Sequence, residues 1–158
     1  MRFRKPCRHI MKNLLLFSAL LVLLPALRAG DLAEAQVPAV IVNHVKQQYP
    51  KAGPIEWDFD KDDGVYEAEF RIDGFEHDLE FTPAGERVYS KIEIPVSSLP
   101  AAVTAYVTTH HPKAKILGAK HIVKGDRQMY DVGISEGPFW KKKHKNLYLD
   151  EQGVVVSK

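Results

Sequence analysis

Val37-Pro38-Ala39-Val40 leads, one short helix later, to Gln48-Tyr49-Pro50-Lys51-Ala52. Leu99-Pro100-Ala101-Ala102 leads in the same way to His111-Pro112-Lys113-Ala114, at a constant offset of 62 (38 to 100, 50 to 112, 52 to 114). A motif repeated at fixed spacing sets the architecture ahead of local propensity, because each copy is one supersecondary unit with the same apolar face to bury. Nothing at the repeated positions carries catalytic chemistry, so the pattern points to a binding scaffold.

Each copy opens with a helix. Pro38 and Pro100 suit the first helical turn, where a missing N–H costs nothing. Val40, Ile41 and Val45, and then Ala102, Val103, Ala105, Tyr106 and Val107, recur at spacings of three and four. Pro50 and Pro112 stop the helices, since proline disfavours helical geometry in the residue before it. Helices are expected near 37–49 and 99–111.

The period then changes from 3.6 to 2. Ile55 to Phe59, Tyr66 to Ile72, Phe75 to Phe81 and Val88 to Ile94 alternate, with turns at Asp63-Gly64, Asp73-Gly74 and Pro83-Ala84-Gly85. That is a four-stranded antiparallel meander. Ile55, Trp57, Phe59, Tyr66, Ala68, Phe70, Leu79, Phe81, Val88 and Ile92 are expected against the helix. Glu56, Asp58, Glu67, Glu69, Arg71, Asp78, Glu80, Lys91 and Glu93 are expected on the other face. Leu117 to Val123, Tyr130 to Ile134 and Leu147 to Asp150 repeat the pattern at offsets growing to 64 and 68, which puts insertions into loops near 124–128 and 135–143. The expected fold is α+β, a tandem repeat of a helix and a four-stranded meander. The two copies would share one eight-stranded sheet with helices on one face.

The doubled Val/Leu-Pro-Ala opening, the Tyr/His-Pro-Lys-Ala helix stop, the Trp57 strand, Tyr66-Glu67-Ala68-Glu69-Phe70 and the Phe81 to Gly85 turn together resemble the PepSY-like family of secreted bacterial proteins, also described as β-lactamase-inhibitor-like (BLIP-like). The resemblance spans about 37–157. It implies a pair of helix-plus-strand units in the periplasm with no established enzyme activity. The second copy departs from the pattern at Ala119 and His121, where the first has Trp57 and Phe59, and at Ser135 to Lys143.

The N-terminus reads as a secretory leader. Arg2, Arg4, Lys5, Arg8 and Lys12 precede an apolar run from Leu14 to Leu24, and Leu27-Arg28-Ala29 offers a cleavage point. A retained N-terminal anchor is the alternative. The expected organisation is a leader at 1–29, a linker at 30–36, a first repeat at 37–96 and a second at 97–158. Six of the 22 basic residues and none of the 20 acidic ones lie in the leader, so 16 against 20 leaves a charge of −4. A mildly acidic chain argues against nucleic acid as partner. Cys7 leaves with the leader, which excludes disulfide and thiol chemistry from the remainder.

Three constellations are candidates for function. Phe139, Trp140, Lys141, Lys142, Lys143, Lys145 and the nearby Tyr148 join aromatic rings to a basic run in an expected insertion, a pattern that suits an acidic protein or an anionic polymer of the envelope. The competing reading has Trp140 packing locally while the lysines blunt a sheet edge. Asp58, Asp60 and Asp62 partly imitate a calcium loop, but Gly64 falls one position late and strands flank the segment, so a charged hairpin tip is the better reading. His44, His77, His110, His111, His121 and His144 show no paired zinc spacing. A meeting of His77 and His121 across the sheets stays open. No nucleophile with a base, carboxylate pair or phosphate-cradling loop is present, so no catalytic residue and no cofactor are expected. These features predict a non-enzymatic, periplasmic or secreted protein that binds a protein or peptide through an open sheet face and loops. Neither nucleic acid nor, after leader cleavage, membrane is an expected partner. The alternative is an envelope sensor for a metal or small ligand.

Overall fold

A computed structural model of the chain describes residues 32–157, so the expected leader lies outside the described residues. Among the described residues two α-helices form, α1 at Ala39–Gln48 and α2 at Ala101–His110. Pro38 and Pro100 stand one residue earlier than expected, as N-caps with extended ψ of 130° and 144°. At the other ends Tyr49 and His111 donate their backbone N–H to Val45 and Val107 at 2.8 Å, and the prolines that follow end both helices. The segment expected as a linker is tied down. Leu32 bridges to Trp57, and Glu34–Gln36 forms a 3-10 turn.

Among the described residues seven strands make one antiparallel sheet in sequence order. β1 (Glu56–Asp60), β2 (Val65–Ile72), β3 (Phe75–Phe81) and β4 (Arg87–Ile94) follow α1. β5 (Lys115–Lys124), β6 (Arg127–Glu136) and β7 (Lys143–Leu149) follow α2. Asp73 and Gly74, at φ of 51° and 86°, form the two-residue β2–β3 turn that their sequence predicts.

The structure corrects the expected eight strands to seven among the described residues. After the turn that begins at Asp150, the chain makes only an isolated bridge from Val155 to Leu149. Val154 and Val155 remain exposed there, and the Val156 N–H donates to the Tyr148 carbonyl at 2.9 Å without the ladder running on. The insertions also differ from expectation. β5 and β6 extend to Lys124 and Arg127, and β6 and β7 run to Glu136 and from Lys143, so much of the added length became strand rather than loop.

Both helices cover the same face of the sheet. Val37, Ile41 and Val45 pack with Trp57, Ala68, Phe70, Leu79 and Phe81. Leu99, Val103 and Val107 pack with Ala119, Val132, Ile134 and Leu149. Of the side chains expected in the first core, Ile55, Phe59, Tyr66, Val88 and Ile92 are only half-buried, and Val40 is exposed apart from its approach to Gly85. The clusters sit at opposite ends of the sheet with the Ser90, Ile92 and His121 region between them, so each helix shields its own group of strands.

Candidate functional site

Strand alternation sends every second residue away from the helices, and no other element in the described residues forms a second layer there. Glu56, Glu69, Asp78, Lys91, Ile122 and Met129 form one row across β1 to β6. Asp58, Glu67, Glu80, Tyr89, Lys124 and Arg127 form the next. On the other side Glu93, Lys120, Asp131 and Tyr148 complete a third. All nine residues expected on the outer face lie on it.

Charge is unevenly spread over this surface. On β1 to β3, Glu56 faces Glu69, Glu69 faces Asp78, Asp58 faces Glu67 and Glu67 faces Glu80. Like charges directly opposite one another destabilise a sheet. Burial, followed by the neighbouring Asp78, Glu80, Asp58 and Glu69 charges, raises the Glu67 carboxyl above its ordinary range. Burial and the surrounding carboxylates raise Glu69 and Glu80 too, with Lys91 and Lys124 respectively opposing. Lys91 forms a direct ion pair with Asp78. Burial pulls the Lys91 ammonium down, but Asp78 outweighs it through hydrogen bonding and charge and holds it high.

Beyond Lys91 the face changes character. Ile122 and Met129 are 3% and 4% exposed although no helix covers them, so the side chains around them provide the cover. The Tyr89 hydroxyl, raised by burial, lies within reach of the charges of Lys91, Asp78, Glu80 and Asp131. A shallow recess follows, floored by the cross-strand glycines Gly118 and Gly133 and edged by Glu93, Lys120, Asp131 and Asn146. The Asn146 amide donates to Asp131 at 2.7 Å.

The expected binding residues do not share one surface. Phe139, Trp140 and Lys141 form a 3-10 turn between β6 and β7, with Lys142 as its C-cap. Lys143 and Lys145 lie on β7 in phase with Leu147 and Leu149, on the helix side, whereas Tyr148 points to the helix-free face. Trp140 is 84% exposed, so the structure answers the question of local packing against it. Lys145 reaches Glu136 at 3.4 Å, and Glu136 accepts from His111 at 2.8 Å. The His111 and Lys145 contacts outweigh desolvation and lower the Glu136 carboxyl. Sequence reasoning missed this cluster because 25 residues separate His111 from Glu136. It also missed Tyr89, Ile122 and Met129, although strict alternation from Ser90, His121 and Val132 would have placed them.

The acidic hairpin is self-contained. Asp60 accepts the backbone N–H of Asp62 at 2.7 Å and of Asp63 at 3.1 Å, and Asp58 accepts that of Phe59. Among the described residues no three His, Cys, Asp or Glu side chains gather as a metal-binding group. His77 and His121 fall on one row but β4 lies between them, so their backbones are two strand spacings, roughly 9.5 Å, apart. His77 stacks on Phe70 instead, and His121 on Tyr130.

With this layout in view, a family model described as "Putative beta-lactamase-inhibitor-like, PepSY-like" matches residues 26–73 and 64–157. The chain belongs to this PepSY-like family. Among solved structures, a BLIP-like protein from Bacteroides fragilis is 20% identical, with a TM-score of 0.58 over 75% of this chain and 82% of its own. A protein from Bacteroides eggerthii described as a putative periplasmic protein is 21% identical, with a TM-score of 0.62 over 77% and 86%. A protein from Bacteroides ovatus is 19% identical, with a TM-score of 0.58 over 76% and 84%. At these identities the PepSY-like likeness concerns the fold. No curated protein matches the chain. Among the described residues no helix is long and apolar enough to cross a membrane.

Proposed function

We propose that this chain is a non-enzymatic periplasmic binding protein, built from two copies of one unit, that takes a protein or peptide partner on its helix-free sheet face. Sequestering or inhibiting that partner is the activity such a surface offers. The observation that carries the reading is the bare second face of a seven-stranded sheet. A sheet normally covers its apolar side and solvates the other, but this outer side combines a tract of mutually repelling carboxylates with Tyr89, Ile122, Met129 and Tyr148. A partner segment bearing Lys or Arg beside aromatic or aliphatic groups fits both parts: its cations relieve the Glu67, Glu69 and Glu80 tract while its apolar groups meet the half-buried rings of Tyr89 and Tyr148, which Ile122 and Met129 support from beneath.

Peptide display against the chain from residue 30 onward, which contains every described element, tests this. Basic peptides with aromatic residues are expected to be enriched, and Glu67→Lys with Glu69→Lys to abolish their capture while Trp140→Ala leaves it unchanged. That double variant turns repulsive cross-strand pairs into attractive ones, so its fold is expected to persist. Absence of enrichment, or equal capture by the double variant, would overturn the proposal.

A further inference from the structure

The turn between β6 and β7 is built to hold one indole outward. Lys141 donates its backbone N–H to Pro138 at 2.9 Å and closes the turn. Gly137 has φ +102°, and a Cβ there would come within 2.7 Å of the Lys141 carbonyl. Trp140 is thus presented from a closed turn, which lowers the cost of ordering it on a partner. From Gly137 to Leu149 the chain has Lys141, Lys142, Lys143, His144 and Lys145 and no acidic residue. The acid just before it, Glu136, is already engaged by His111 and Lys145. At the same end of the sheet Lys115 lies on the row of His144, and Leu117, at the β5 bulge, is 52% exposed. The repelling carboxylates occupy β1 to β3, on the far side of the strand order.

We propose that the tip from Gly137 to Lys145 is a peripheral membrane contact, docking on a bilayer surface with anionic headgroups. Indole rings settle at the headgroup level of a bilayer, where their polar N–H stays wet while the ring leaves water. Lysines beside an anionic surface add attraction one by one. An extended anionic plane also orients this charge distribution, since it attracts the β7 edge and repels β1 to β3. The helix-free face would then stay open to solvent while the protein is held at the membrane. A surface contact of this kind needs no apolar span, only one indole among lysines, and so departs from the expectation of no membrane partner. This inference is independent of what binds the sheet face.

Vesicles of phosphatidylcholine with and without about one-third phosphatidylglycerol provide the test, using the chain from residue 30 carrying Trp57→Phe so that emission reports Trp140 alone. Binding to the anionic vesicles only, a blue shift of Trp140 on binding, and release by high salt are expected. Lys141→Gln with Lys143→Gln should weaken binding about 25-fold, at about five-fold per lysine. These two lysines are exposed, so the variant's Tm should match that of its parent. Four results would overturn the proposal: no binding to anionic vesicles, bound protein with unshifted Trp140, affinity unmoved by the lysine changes, or an equal shift with soluble polyglutamate at matched charge. The last would assign the tip to an acidic polypeptide.

Discussion

Val37, Ile41, Val45, Trp57, Ala68, Phe70 and Phe81 are buried in the first half, and Leu99, Val103, Val107, Ala119, Val132, Ile134 and Leu149 at the corresponding places in the second. Three rings in one core become alanine, isoleucine and leucine in the other. Trp57 directly faces Ala68 across β1 and β2, and Ala119 directly faces Val132 across β5 and β6. A large and small pair has become a small and medium one, with part of the lost volume returned by the neighbour. The strands above the second core are also longer, since β5 and β6 align nine residue pairs where β1 and β2 align five. Rings fill the first core, and aliphatic side chains under fewer but longer strand pairs fill the second.

The largest expected effect tests this difference in the cores. Trp57→Ala should cost about 3–5 kcal/mol, and Val132→Ala roughly 1.5–3, read as shifts of the urea midpoint. Because the two clusters are separate, the double variant should be additive within about 0.5 kcal/mol. A coupling above about 1 kcal/mol would mean that the halves share one core. Trp57→Phe sharpens the point. The indole Nε1 is buried without a hydrogen-bond partner, so Phe leaves a cavity but removes an unpaired donor. Its cost should be well below that of alanine.

A middle-sized effect separates the two turns that close the β3 and β7 ends. Gly85 and Gly153 both have positive φ, at +88° and +79°. A Cβ at Gly85 would meet the Val40 side chain at 2.9 Å, whereas one at Gly153 would meet the Ala102 carbonyl at 2.6 Å. Both alanine substitutions carry left-handed strain of about 1–3 kcal/mol. Val40 is exposed and can shift, but the carbonyl belongs to α2. Gly153→Ala should therefore lower Tm more than Gly85→Ala, and the reverse order would show that the β7 turn yields more easily than α2 holds.

Much of this was legible in the chain because it is local. Proline at both ends marks each helix to within a residue or two, Asp73-Gly74 marks its hairpin, and the change of period marks the strands. The acidic outer face followed from alternation alone. What was hidden depends on position across many residues. The eighth strand failed because a matching Gly153 turn does not oblige the next residues to pair. The seven expected binding residues parted because Tyr148 and Lys145 are of opposite parity on β7, and the His111, Glu136 and Lys145 cluster depends on where α2 ends over the sheet. The exposure of Trp140 follows from Gly137 and the Pro138 to Lys141 turn, which composition cannot distinguish from a packed aromatic.

The smallest expected effect carries the comparison into electrostatics, where the halves should respond to pH in opposite directions. Glu67 is raised above its ordinary 4.5 by burial and by its carboxylate neighbours. Its contribution is therefore most favourable below about 4.5, when it is protonated, and is lost as pH rises through the raised folded value. Glu67→Gln should stabilise the protein by about 0.2–1 kcal/mol at pH 7, the scale of a like-charge cross-strand pair, and that advantage should fade as pH falls toward 4.5. Glu136 is lowered by His111 and Lys145, so its contribution is present above 4.5 and disappears as pH falls through the lowered folded value. Glu136→Gln should accordingly be less stable than the parent at pH 7 and meet it only in stronger acid. Thermal unfolding of the parent and both variants between pH 7 and 3 reads the two differences directly. If both variants shift in the same direction at pH 7, the opposition between a strained β1 to β3 face and a paired β6 to β7 edge is wrong. If they diverge as expected, the Glu67 tract is costing the free protein stability that a cationic partner would restore.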